Sequence, residues 1–415
     1  MPKSIQDLRE QRSKAAKSAR ELLDANPGDK WGQEQQAQYD NLVGEIDRCD
    51  GEIERHQKLM DLESEETHRT QNRATREGIS EDEAHHLQDK ERHIFTAWMR
   101  GGADNLNEEQ RQHVQQQRQR MLQNSMSTGT GSEGGYLAPD QFSGELLQAL
   151  KAFGGMREVS QVIQTNSGVA INWPTTDATS EEGEIVGENQ QVSAADTSFG
   201  TLPHATYKFS SKSIAIPFEL LQDSEIDLEA YIRGLLQQRL GRVTNRMFTV
   251  GTGTGQPHGI VTGASAGKIA LTGQVDTAGY DDLVDLEHSV DPAYRMGSCR
   301  WMFHDQTLRD LKKLKDGEGR PIWVPGVATK EPDTLAGYAY AINQHMPKLG
   351  AGNKPILFGD FNKYIIRDVM QLQFFRMTDS KYTEKGQVGF LAFMRSGGRL
   401  MDVGGAVKAF QNAAS

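Results

Sequence analysis

The chain changes character once, near residue 126, and that change limits what it can fold into. Residues 1 to about 125 are rich in Glu, Gln, Arg and Lys, hold only Pro2 and Pro27 as prolines, and space their apolar side chains by threes and fours. Such spacing lines one side of a helix. From residue 126, "SMSTGTGSEGGYLAPDQFSGELL" reads as a Gly, Ser and Thr linker, and alternation of the β type follows it. The pattern predicts a helical extension joined to an α+β body.

Three helices are expected in the extension. In the first, Ile5, Leu8, Arg12, Ala15, Ala19 and Leu22 form the stripe, with Ser4 as N-cap, Asp7 three residues on, and "ANPGD" as the stop. In the second, Tyr39, Leu42, Ile46, Cys49, Ile53, His56 and Met60 keep a seven-residue repeat for three heptads, as in a coiled-coil seam. The third starts at the Ser80 to Glu83 capping box, continues through Ala84, Leu87, Ile94 and Trp98, and stops at "RGG", before the Gln-rich "RQHVQQQRQRMLQNS". Stripes this narrow bury little by themselves. An oligomerising arm is the favoured reading and solvated, weakly paired helices the alternative.

In the body, Val169, Ile171 and Trp173 alternate before Pro174, and Tyr207 and Phe209 resume the alternation. The interval "TTDATSEEGEIVGENQQVSAADTSFGTLP" is polar, acidic and free of lysine, which predicts a long projecting hairpin. Asp223 or Ser224 is expected to cap "EIDLEAYIRGLLQQRLGRVTNRMFTV", an amphipathic helix with Leu228, Ile232, Leu235, Leu236, Val243 and Met247 on its apolar face. Beyond residue 264, "YDDLVDLEHSV" and "HDQTLRDLKKLKD" read as helices, and "CRWMFH", "KPILFGDF" and "VGFLAFMR" as strands.

Several chemistries are disfavoured. With 415 residues, 36% hydrophobic side chains and no run near the roughly 18 to 20 apolar residues that span a bilayer, a soluble chain of two or three domains is expected. The first twenty residues lack the apolar stretch of an export signal. Cys49 and Cys299 are read as free thiols, and a formal charge of −11 leaves only weak, local contact with nucleic acid. "VGTGTGQPHGIVTG", residues 250 to 263, invites a phosphate-loop reading. It has no Lys-Ser or Lys-Thr in register, Gln256 or His258 stands where a third glycine belongs, and a helix C-terminus, which repels anions, precedes it. Gly251, Gly253, Gly255, Pro257 and Gly259 are therefore read as a tight turn, in which Gly255→Val is expected to be harmful. There is no HExxH; His85 and His86 point apart on a helix, His304 with Asp305 is isolated, and no nucleophile elbow occurs. No catalytic residue, cofactor or metal is expected.

Four stretches carry a resemblance: "STGTGSEGGYLAP" (127 to 139), "GTGTGQPHGI" (251 to 260), "WMFHDQTLRDLKKLKDGEGRPIW" (301 to 323), and "TLAGYAYAINQHMP" to "ILFGDFNKYIIRD" (334 to 368). In this order and spacing they resemble the major capsid proteins of tailed bacteriophages, with the HK-97-like fold. The resemblance implies an N-terminal arm at 126–164, an extended E-loop at 165–208, a P-domain at 209–255 and 366–400 with a spine helix at 224–249, and an A-domain at 256–365 and 401–415. For residues 1–125 it implies a delta domain, a helical scaffold removed by a prohead protease. It also implies self-assembly into pentamers, hexamers and a full icosahedral shell around double-stranded DNA. The portal protein is a further implied partner, no membrane is involved, and the site of assembly is the host bacterial cytoplasm.

Residues 1–125 carry 25 acidic and 19 basic groups, so their loss would lower the net negative charge by six per subunit and clear room for DNA. Cleavage is expected among Met121, Leu122, Gln123, Asn124, Ser125, Met126 and Ser127, where a polar helix meets flexible chain. Some relatives weld subunits through an E-loop lysine, but no lysine lies between Lys151 and Lys208. A non-covalent shell is expected instead, with or without help from a separate decoration protein. Its acidic E-loop (Glu181, Glu182, Glu184, Glu188) would lie over basic residues of a neighbour, with Trp173 and Pro174 as contact or packing residues. An encapsulin-like compartment and a nucleotide-binding enzyme using residues 251–260 are the alternatives.

Overall fold

The structure is a computed structural model that describes residues 5–25, 32–102, 106–124, 135–151, 155–176, 199–222, 227–295, 298–315, 334–402 and 405–415. Packing divides the chain into two units, Met1–Lys90 and Glu91–Ser415.

In the first unit, helix α1 (Ile5–Ala25) packs along helix α2 (Gln33–Glu77). Leu8, Ala15 and Ala19 are buried on α1 and Cys49 and Ile53 on α2, and the small Ala15, Ala19 and Cys49 let the two backbones approach. The predicted seam is therefore partly filled within one chain: Tyr39, Leu42 and Ile46 are half-buried. Met60 departs from the expectation, standing 57% exposed on a helix that continues to Glu77. Arg12 meets Asp50 at 2.9 Å, but both are half-exposed and such a pair adds little. Helix α3 (Glu81–Gly101) opens on the predicted capping box: the Ser80 amide donates to Glu83 Oε2 at 3.1 Å and the Glu83 amide to Ser80 Oγ at 3.3 Å.

The second unit is built on two sheets. In the first, the long strands Tyr364–Met377 and Gln387–Leu400 pair antiparallel, Tyr364 opposite Leu400 and Met377 opposite Gly389, with a slip between Val369 and Gln373. Gly135–Leu137 and Gln161–Thr165 extend this sheet beside the first long strand, and Tyr207–Ser210 and Ile214–Pro217 beside the second. Against it pack helix α5 (Asp140–Lys151) and the spine helix, Leu228–Val250, whose Ile232, Leu236 and Leu240 are fully buried at the spacing that lines one helix face. Between α3 and α5 lies helix α4 (Glu108–Asn124), the Gln-rich stretch. The spine helix is capped by Asp227, whose carboxylate accepts from the Ala230 amide at 3.1 Å, while the expected caps Asp223 and Ser224 lie outside the described residues. A cap belongs directly before the first helical turn, where that amide lacks a partner.

The second sheet orders Ser265–Ile269, Val407–Gln411, Ile356–Gly359, Arg300–Phe303, Tyr338–Ile342 and Thr334–Leu335. Its middle strands are buried on both faces, so "WMF" and "ILF" read as unbroken apolar runs. The helices Tyr280–Ser289 and Asp305–Lys312 fall where periodicity placed them. Among the described residues, no helix is long and apolar enough to cross a membrane, and no cluster of His, Cys, Asp or Glu could hold a metal ion.

Candidate assembly surfaces

Within residues 165–208, Ile171–Thr176 pairs antiparallel with Phe199–His204, Trp173 opposite Leu202 and Pro174 opposite Thr201. The return strand "FGTLPH" belongs to the interval read as a projecting hairpin, and six paired positions with its partner set its register despite its weak strand propensity. Trp173 is half-buried and Pro174 exposed. Glu181, Glu182, Glu184 and Glu188 lie outside the described residues, as do Ser125, Met126 and Ser127 of the expected cleavage region. Met121 to Asn124 end helix α4.

At the root of the hairpin the chain is held by arginines. The Arg367 guanidinium, 1% exposed, donates to Thr165 Oγ1 (3.0 Å) and to the carbonyls of Ser167 (2.6 Å), Val169 (2.7 Å) and His204 (3.3 Å). Arg399 donates to the Pro203 carbonyl at 3.0 Å, and the Thr206 hydroxyl to the Gly168 carbonyl at 2.9 Å. Directly behind, Asp368 accepts a bidentate pair from Arg157 (2.6 and 2.9 Å) and a 2.6 Å bond from Ser396, all three buried. A planar guanidinium with five donors suits this collection of carbonyls. The charged pair inside the apolar "YIIRDVM" is the sequence signal for this clamp, which apolar periodicity alone does not single out.

His204 sits in the same root, 1% exposed. Burial, and then the cations of Arg367 and Arg399, push its imidazole down from 6.5 to about 4. The unfolded chain takes up that proton near pH ~6.5, so the stability this group contributes is complete above that pH and is lost as pH falls toward the folded value. The expected loss reaches roughly 3 kcal/mol. Urea midpoints at pH 7 and pH 4.5 should therefore lie closer together in His204→Gln than in the unaltered chain, and equal spacing in the two would contradict this.

A groove of about 510 Å³ runs along the spine helix, lined by Ser210, Lys212, Gln238, Arg239, Arg242, Arg246 and His345 among others, none of them acidic among the described residues. Arg239, Arg242 and Arg246 follow i, i+3, i+7 and share one helix face. Arg239 donates to the Ser211 (3.3 Å) and Ser213 (3.0 Å) carbonyls, while Arg242 and Arg246 are exposed. Burial, then Arg246, Arg242 and His304, lower the His345 pKa. A positive face this free of carboxylates stands out in a chain of net charge −11.

The glycine turn follows the spine helix directly. Its amides are spent internally: Gly251 donates to Met247 O, Gly253 to Pro257 O, His258 to Gly398 O, Gly259 to Gly251 O and Gly263 to Gly259 O. Amides paired in this way are not free to cradle a phosphate, as a phosphate loop requires. Gly251 and Gly259 are where two chain segments touch, since a Cβ on either would collide with backbone atoms of the other side of the turn. Gly255, at φ +67°, has open space around it.

The phage capsid family matches residues 134–411, about two thirds of the chain. The chain belongs to that family. Among solved structures, this capsid protein is similar to chains described as "Capsid of native GTA particle" (23% identity, TM-score 0.54, covering 63% of this chain and 91% of that one) and "Capsid of empty GTA particle" (24%, 0.53, 63% and 90%). At that identity the likeness is one of fold, and the α+β body is the HK-97-like capsid fold. No curated protein matches the chain.

Proposed function

We propose that this capsid protein is the major coat subunit of a tailed bacteriophage, assembling through non-covalent contacts into pentamers, hexamers and an icosahedral prohead that encloses double-stranded DNA. The family match over residues 134–411 carries the reading. The N-terminal helices act as internal scaffold and leave after cutting by a prohead protease within residues 121–127; the portal and a decoration protein are further partners, and DNA is touched only weakly. Assembly takes place in the host cytoplasm. Negative-stain microscopy of the chain expressed alone, then with the protease, tests this: closed shells are expected in both cases, and a mature chain whose intact mass retains residues 1–115 would overturn the cleavage step.

The acidic E-loop of one subunit rests on the cationic spine-helix groove of its neighbour. Charge complementarity supports this, since residues 177–198 carry six acidic and no basic side chains and the groove is lined by four fixed cations. Opposite potentials on facing surfaces speed encounter and fix register. Reversing the groove with Arg242→Glu and Arg246→Glu is expected to lower particle yield by roughly tenfold or more, and adding Glu181→Lys and Glu182→Lys is expected to restore part of it. Normal yield with reduced DNA retention would assign the groove to DNA instead.

A further inference from the structure

The change of composition lies at residue 126, yet the body by packing begins at Glu91. The second half of α3 is part of the body's core. Phe95 and Met99 are fully buried and Trp98 nearly so. The Phe95 ring lies 5.2 Å from Phe142 of α5 and 5.5 Å from Phe374 of the long strand, and Trp98 lies 6.2 Å from Phe374. Spacing of i, i+3, i+4 puts the three side chains on one face. Polar contacts fix the helix in register: Arg92 Nε and Thr96 Oγ1 each donate to Glu229 Oε2 at 3.2 Å, and Arg376 Nε donates to the Met99 carbonyl at 3.2 Å. Glu229, 4% exposed, belongs to the first turn of the spine helix.

We infer that residues 91–101 are a docked helix occupying a groove of α5, the spine helix and the long strand, and that cutting the linker after residue 124 does not by itself free the arm. A segment held by buried aromatic side chains stays bound when the covalent link is lost, because the link supplies none of the burial. The arm then departs only as the groove closes or takes another occupant, so its removal is tied to movement of the first turn of the spine helix. For its biological meaning this rests on the proposed removal of the arm; the docking itself does not.

The experiment places a site-specific protease sequence within residues 127–133 of the full chain, cuts it, and applies unassembled and assembled fractions to gel filtration without denaturant. The expected result is that the N-terminal fragment travels with the body. In Phe95→Ala with Trp98→Ala, retention should weaken roughly a hundredfold or more and the fragment should run free. Because that variant could fail to fold, hydrogen exchange of residues 91–101 in the unaltered chain gives a second reading: protection is expected to persist after the cut. Arg92→Ala, a milder change, should speed release, and Met60→Asp, on the exposed face of α2, should leave it unchanged. A fragment that falls away from the unaltered chain, or loss of protection on cutting, overturns the docking. Failure of natural cleavage would overturn the proposed maturation alone.

Discussion

Asp368→Ala is expected to destabilise the capsid body by about 3–5 kcal/mol, the cost of breaking a buried ion pair from one side. Its carboxylate is fully buried and accepts from both terminal nitrogens of Arg157 and from Ser396. Removing it strands the Arg157 cation, itself 5% exposed, without a counter-charge. The same strand position adjoins Arg367, so the hairpin root should loosen together with the sheet. Urea unfolding of the unassembled chain, followed by tryptophan fluorescence, should show the midpoint falling sharply. The double change Arg157→Met with Asp368→Leu should recover much of the loss, because two apolar groups leave no buried charge uncompensated. A single variant within about 1 kcal/mol of the unaltered chain would show that water reaches the pair.

The second large effect is expected at the glycine turn, where Gly259→Ala should cost about 3 kcal/mol and abolish particle formation. A Cβ there would lie inside contact distance of the Gly251 amide nitrogen and the Thr249 carbonyl. These are backbone atoms, so no rotamer change relieves the overlap, and the 2.8 Å bond from Gly259 N to Gly251 O has to open. Gly255→Val, expected from the sequence to harm assembly, is now the milder change. An added Cβ there meets open space, and the cost is that of a left-handed φ, about 1–2 kcal/mol. Paired particle yields, Gly255→Val against Gly259→Ala, check the ordering; equal yields would remove the close-crossing explanation.

Much of the fold was legible because it repeats locally. Apolar spacing by threes and fours found α1, α2 and α3, and the Ser80 to Glu83 box fixed where α3 starts. Continuous apolar runs found Arg300–Phe303 and Ile356–Gly359. The hairpin was legible but its register was not, because "FGTLPH" has neither alternation nor β-branched bulk enough to declare itself, and its partner supplies the hydrogen bonds. The cap of the spine helix was misplaced because Asp223, Ser224 and Asp227 are equally good capping residues by type. Met60 kept the heptad register yet stands exposed, since a seam buries only where another helix lies against it.

The sequence by itself determined the helical extension, the α+β body and the glycine turn, all of which are written in windows of a few to thirty residues. Only the tertiary structure decided which of these pieces share a core. Arg157 and Asp368 are 211 residues apart, and Arg376 reaches the Met99 carbonyl across 277. Periodicity says that Phe95, Trp98 and Met99 can be buried on one helix face, but not against what. A buried charge or aromatic face takes its meaning from a partner, and when that partner lies hundreds of residues away, folding alone brings the two together.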